Sequence, residues 1–120
     1  MPPAVLIDTD ILIDAGRGIQ QALDCLDNYE AQGTLAISVI TELELIVGCQ
    51  NKRELEKFLR RFEIKMLNGQ ASNITVDLIK QYRLSHGLLI PDALIAATVI
   101  TFQLPLLTKN QRDFRFIRGL

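Results

Sequence analysis

The chain contains no tryptophan, and aromatic residues make up only 6% of it, so its core must be mainly aliphatic. It has two cysteines, Cys25 and Cys49, too few for a disulfide framework and at no metal-type spacing. Both read as partly buried small hydrophobes, which fits a reducing cytosol and predicts a cytoplasmic protein. The single histidine, His86, stands before Gly87 at a predicted helix end, where C-terminal capping is its expected role. An excess of one charge is also missing: 13 Lys and Arg face 14 Asp and Glu, a net charge of −1. The whole-molecule charge therefore does not advertise a nucleic-acid partner, and any such partner would need a local basic patch. The longest apolar stretch, "ALIAATVITFQLPLL", is too short and interrupted to span a bilayer. Asp8 breaks the first apolar run, so no signal peptide and no membrane association are expected.

At 120 residues, 48% hydrophobic and 22% charged, the chain suits a globular domain with a real core. No repeat or low-complexity linker divides it, so one domain is expected over residues 1–120. Residues 4–7 read as a buried strand ending at Asp8, with a short helical turn after it that stops near Gly16 and Gly18. Ile19, Ala22, Leu23 and Leu26 have helical spacing, and Gly33 ends that helix. "TLAIS", residues 34–38, is a second strand, with Ser38 capping a helix to about Gly48. Asn51 and Glu54 form a capping pair for a helix through Phe62, and "EIKML" is a third strand. Ile74, Leu78, Ile79 and Tyr82 mark a helix ended by Gly87, and Pro91 begins "PDALIAATVITF", a central helix apolar nearly all round. "LPLLT", residues 104–108, is a fourth strand, and one more is expected near Phe116 and Ile117. The alternation predicts an α/β layer structure with a mostly parallel sheet.

Four acids stand where such a sheet presents ligands, beyond the carboxyl ends of its strands. Asp8 ends the first strand, Glu44 lies in the helix after the second, Asp92 opens the central helix, and Asp113 follows the fourth strand. Gathered carboxylates repel one another, and a hard divalent cation such as Mg²⁺ removes the repulsion. Such a site can activate water and steady charge on a phosphodiester. Asp10 and Asp14 read instead as a turn residue and a solvated helix residue. At 100° per residue, Glu44 shares a helix face with Thr41 and Gly48, whereas Glu42 points the other way, among Val39 and Ile46.

The pieces "LIDTDILID", "ISVITELELIVG", "PDALIAATVI" and "LLTKNQRDF" occur in this order over nearly the whole chain. In this the chain resembles the PIN-domain ribonucleases, and among them the VapC-type toxins of bacterial and archaeal toxin–antitoxin pairs. The resemblance implies a PIN-like three-layer α/β/α fold and a Mg²⁺- or Mn²⁺-dependent endoribonuclease. It also implies a homodimer held inactive by a cognate VapB-type antitoxin. The first three acids of the family fall on Asp8, Glu44 and Asp92. The fourth, which varies, falls on Asn110, where this chain departs from an acid, or on Asp113.

Thr9, Thr41 and Thr108 stand beside these acids and could orient carboxylates or the waters of a metal; ordinary capping is the alternative. Lys109, Arg112, Arg115 and Arg118 form the best basic patch for RNA phosphates. Arg53, Lys57, Arg60 and Arg61 are interleaved with glutamates and read as a solvated face. Two other functions fit parts of the pattern. A PIN fold with lost activity would be an RNA-binding module, and Asn110 keeps that reading open. A HAD-like phosphatase would use strand-D-x-D with Asp8 as nucleophile, but Leu12 stands where a threonine is expected. The mean hydropathy of +0.19 is high for a small monomer and predicts association through apolar surface.

Overall fold

The computed structural model describes residues 3–120. Its sheet has four parallel strands: β1 (Ala4–Ile7), β2 (Thr34–Ser38), β3 (Glu63–Lys65) and β4 (Leu106–Leu107). Their order across the sheet is β3-β2-β1-β4. The helices are α1 (Thr9–Gly16), α2 (Gln20–Gln32), α3 (Val39–Gly48), α4 (Lys52–Leu59), α5 (Gly69–His86) and α6 (Ile90–Phe102).

Strand side chains alternate between faces, and the sequence supplies apolar residues for both. Leu6 and Ala36 face one core with Leu78, Tyr82 and Ile95 of α5 and α6. Val5, Ile7, Leu35 and Ile37 face a second core with Leu12 of α1 and Leu26 of α2. The result is the expected three-layer α/β/α arrangement. Helix α3 contributes Ile40 to the first core and Leu45 to the second, and so sits across the end of the sheet.

Caps fix the helix ends. The Asn51 side chain accepts from Glu54 N at 3.1 Å, and the Asn68 side chain from Ala71 N at 2.8 Å. Gly87 closes α5 in the left-handed conformation, with φ 67°. Gly33 has a different reason: a Cβ there would lie 1.9 Å from the Pro3 carbonyl oxygen, which accepts from Thr34 N at 2.8 Å. This close approach holds the entries of β1 and β2 side by side.

Several boundaries differ from expectation. β3 stops at Lys65, and Met66 and Leu67 after it are exposed. β4 has two residues rather than five, and α4 ends at Leu59. Helix α5 begins earlier than its apolar spacing shows, at the cap Asn68. The expected strand near Phe116 and Ile117 is a series of turns, with Ile117 N donating to Phe114 O at 3.0 Å. Phe114 and Ile117 are both buried in one core, yet residues three apart on a strand would point to opposite faces. His86 does not cap: its ring stacks on Phe116 at 4.2 Å, while Arg83 donates to the Gly87 and Leu88 carbonyl oxygens at 3.1 and 3.3 Å.

Candidate active site

The strand order places β2 and β3 on one side of β1 and β4 on the other. The chain reverses its direction of travel across the sheet at β1, and the crevice at the carboxyl ends there is where open α/β sheets bind ligands. Asp8 and Thr108 flank that crevice, immediately after β1 and β4.

Asp8 is 4% exposed and caps α1. Its Oδ1 accepts from Thr9 N and its Oδ2 from Thr108 Oγ1, each at 2.8 Å. Burial pushes its carboxyl above the usual range. The Thr108 and Thr9 bonds oppose that shift, and the charges of Asp10 and Glu44 reinforce it. Thr9 Oγ1 donates to Glu44 Oε1 at 2.8 Å and lies 2.9 Å from Thr41 Oγ1. Its one proton is used on Glu44, so Thr41 donates to Thr9. Thr41 and Glu44 thus share the face of α3 that meets α1.

Asp92, in the first turn of α6, is pushed up to about 6 by burial and by the charges of Asp8, Asp113, Asp10 and Glu44. Helix N-termini favour carboxylates, so burial, reinforced by the surrounding negative charge, outweighs the dipole here. Asp113 is exposed, in a 3-10 turn over Gln111–Asp113, and reaches the site through its charge. All four predicted acids therefore share one field. Asp10, expected to be an ordinary turn residue, belongs to the same field and accepts from Asn110 Nδ2. The sequence showed only that Asp10 and Asp14, four apart in α1, lie on one helix face; nothing local tied that face to Asn110.

The basic residues are placed less simply. Lys109 Nζ is paired with Asp14 Oδ2 at 2.6 Å. Arg112 and Arg115 are exposed, and among the described residues neither has an ion-pair partner. Arg61 is half-buried and bridges Asp27 and Glu30 of α2. Ser38 caps α3 through Ile40 N at 3.3 Å.

Among the described residues, Asp8, Glu44, Asp92 and Asp113 have no Lys or Arg ion-pair partner, so their charge is uncompensated by protein. No three acids among those residues close into a ready-made metal cage. The donor set still fits Mg²⁺ or Mn²⁺. It consists of hard carboxylate oxygens, and Mg²⁺ is commonly held by one or two of them with waters and substrate phosphate. Beside Glu44 alone of the four acids, a cleft of about 670 Å³ runs from Glu44 and Gly48 past Leu12, Ile13, Leu55 and Phe58.

Comparison with known proteins gives a consistent answer. The PIN domain family model matches residues 5–120. Ribonuclease VapC10 of Mycobacterium tuberculosis is 36% identical over 119 residues, covering 97% of this chain and 90% of that protein. Ribonuclease VapC1 of Methanocaldococcus jannaschii is 35% identical, covering 95% of this chain and 81% of that protein. Among solved structures, a toxin-antitoxin complex from Klebsiella pneumoniae superposes with a TM-score of 0.81 at 34% identity, over 96% of this chain and 93% of that one. VapBC2 from Rickettsia felis, bound to a DNA fragment from its promoter, gives 0.79 at 26% identity, over 98% and 95%.

Proposed function

This chain belongs to the PIN-domain family, with VapC proteins among its relatives, and on that premise we propose that it is a Mg²⁺- or Mn²⁺-dependent endoribonuclease, the toxin of a toxin–antitoxin pair. One observation carries the proposal. A buried strand-end carboxylate, Asp8, with both oxygens held, shares a field with Glu44, Asp92 and Asp113, and among the described residues no Lys or Arg is paired with any of them. A bound divalent ion would supply the positive charge that steadies a phosphodiester during hydrolysis.

The protein's own residues have distinct parts in this reading. Asp8 and Asp92 would hold the ion, with Glu44 and Asp113 completing its surroundings. Thr108 and Thr9 orient Asp8; Thr9 and Thr41 orient Glu44. Arg112 and Arg115 meet RNA phosphates, whereas Lys109 must leave Asp14 before it can do so. The apolar wall of the cleft beside Glu44 suits a segment of a VapB-type antitoxin, and the relatives solved as toxin-antitoxin complexes support such a partner. Exposed Leu43, Ile46 and Val47 on α3, with Leu84 of α5 and Leu89 and Ile90 around the start of α6, support a homodimer. Among the described residues no helix is long and apolar enough to cross a membrane. The cytoplasm is the proposed location.

The test is cleavage of RNA by the purified chain with Mg²⁺ or Mn²⁺, its loss in EDTA and its return on adding metal. Asp8→Asn should abolish cleavage in a protein that stays folded, because it removes a ligand charge at nearly constant shape. Near-normal cleavage by that variant would refute the metal-ligand assignment. A second reading, a catalytically weak RNA-binding module, is favoured by Asn110 and by the loose spacing of the acids. It requires RNA binding that survives EDTA, with no cleavage. The phosphatase alternative falls with the family assignment.

A further inference from the structure

Three consecutive residues after β4 each donate to a different acid in or beside α1. Thr108 Oγ1 donates to Asp8 Oδ2 at 2.8 Å, Lys109 Nζ to Asp14 Oδ2 at 2.6 Å, and Asn110 Nδ2 to Asp10 Oδ2. The main-chain N–H of Asn110 also turns back to Thr108 Oγ1 at 3.0 Å. The Thr108 hydroxyl thus accepts from residue 110 while it donates to Asp8, which leaves it one orientation. The backbone does little to hold this loop, since β4 has only two residues and its ladder to β1 ends with Asp8 N donating to Leu107 O at 2.9 Å.

The three donors are not equivalent. Lys109 is exposed, and an exposed ion pair contributes little. Asn110 and Asp10 are half-buried, where a hydrogen bond to a partly desolvated carboxylate counts for more than an exposed ion pair. An amide can hold Asp10 without adding charge, whereas an acid at position 110 would face it as a like charge.

We infer that Asn110 is a positioning residue for the site. Its side chain anchors the loop on Asp10, and its main-chain N–H then fixes the Thr108 hydroxyl on Asp8. The departure from an acid at this position is accordingly a working part of this chain, matched to the acid at position 10. The inference deepens the proposed function and rests on that reading of the site.

Reciprocal exchange tests it. Asn110→Asp, Asn110→Ala, Asp10→Asn and the exchange variant Asp10→Asn/Asn110→Asp are compared with the wild-type chain. Melting is followed in EDTA, and RNA cleavage is followed with Mn²⁺ over a range of RNA concentrations. Asn110→Asp is expected to lower the metal-free Tm by about 4 °C. It should also lower kcat roughly tenfold, the usual cost of disturbing a residue that orients a metal ligand. KM should stay within about twofold, because substrate contacts are untouched. The exchange variant restores an amide–carboxylate pair and should regain most of both losses. Asn110→Ala, which adds no charge, should lose kcat with a smaller change in Tm. The inference is overturned if both Asn110 variants keep wild-type Tm and kcat, or if the exchange variant is no better than Asn110→Asp. Should the wild-type chain cleave no RNA, the enzymatic reading fails, and the metal-free Tm comparison alone then decides whether positions 10 and 110 are coupled.

Discussion

Glu44 and Glu42 are two residues apart on one helix, yet only Glu44 meets the site. Its Oε1 takes the Thr9 hydroxyl proton, and Thr41 on the same face completes the chain of bonds. Glu44→Gln should therefore reduce cleavage by orders of magnitude and Glu42→Gln should not, measured on folded variants at saturating metal. The reverse result would overturn the register of α3. Helix geometry and the family pattern both singled out Glu44, and they put Glu42 on the opposite side with Val39 and Ile46. Ile46 is 50% exposed, so that face turns to solvent rather than inward. Asp92 makes a second prediction. Its folded pKa, pushed up to about 6, lies above the ordinary value near 3.8, so the folded state holds the proton more strongly than the unfolded chain does. That contribution to stability is full below about pH 4 and is lost as pH rises through about 6. In EDTA the wild-type Tm should fall across this window relative to Asp92→Asn, and added Mg²⁺ should shrink the difference. A flat difference between the two proteins would remove Asp92 from the charge cluster.

At the scale of elements, strong apolar periodicity was enough to place β1, β2, α2, α4 and α6 to within a few residues. The losses came where pairing or tertiary contact sets the limits. β4 is two residues long because only Leu106 and Leu107 find register partners on β1, which the run "LPLLT" cannot reveal. The link between residues 8–14 and 108–110 was equally hidden: four apart in α1 is visible, but a hundred residues of intervening chain is not bridged by any local signal. Asp10 was consequently read as a turn residue. Gly33 shows the opposite case, a residue legible as a helix stop whose larger reason is steric. Gly33→Ala would drive a Cβ against the Pro3 carbonyl, so β1 or β2 must shift at its entry. The expected loss is about 1–3 kcal/mol, typical of overpacking, and is measurable by urea unfolding. An unchanged unfolding midpoint would show that this approach does not hold the two strands.

For the whole molecule, the all-parallel sheet means that no strand is completed by its nearest neighbour in a hairpin. β1 pairs with β2 across a helical crossover, and with β4 only after nearly all the chain between has been laid down. Pairings this distant in sequence form late, and a two-residue strand opens readily once formed. Hydrogen exchange should report the asymmetry: the amides of Leu6 and Asp8, which donate to Pro105 and Leu107, should exchange faster than that of Thr34, which donates to Pro3. Equal protection would show that β4 is as secure as the centre of the sheet. The order of assembly has a bearing on the cell that makes this protein. During synthesis Asp8, Glu44 and Asp92 are all made before Thr108 and Asn110 exist to orient Asp8. On the proposed reading, a nascent chain beside translating RNA carries its acids before it has the loop that aligns them.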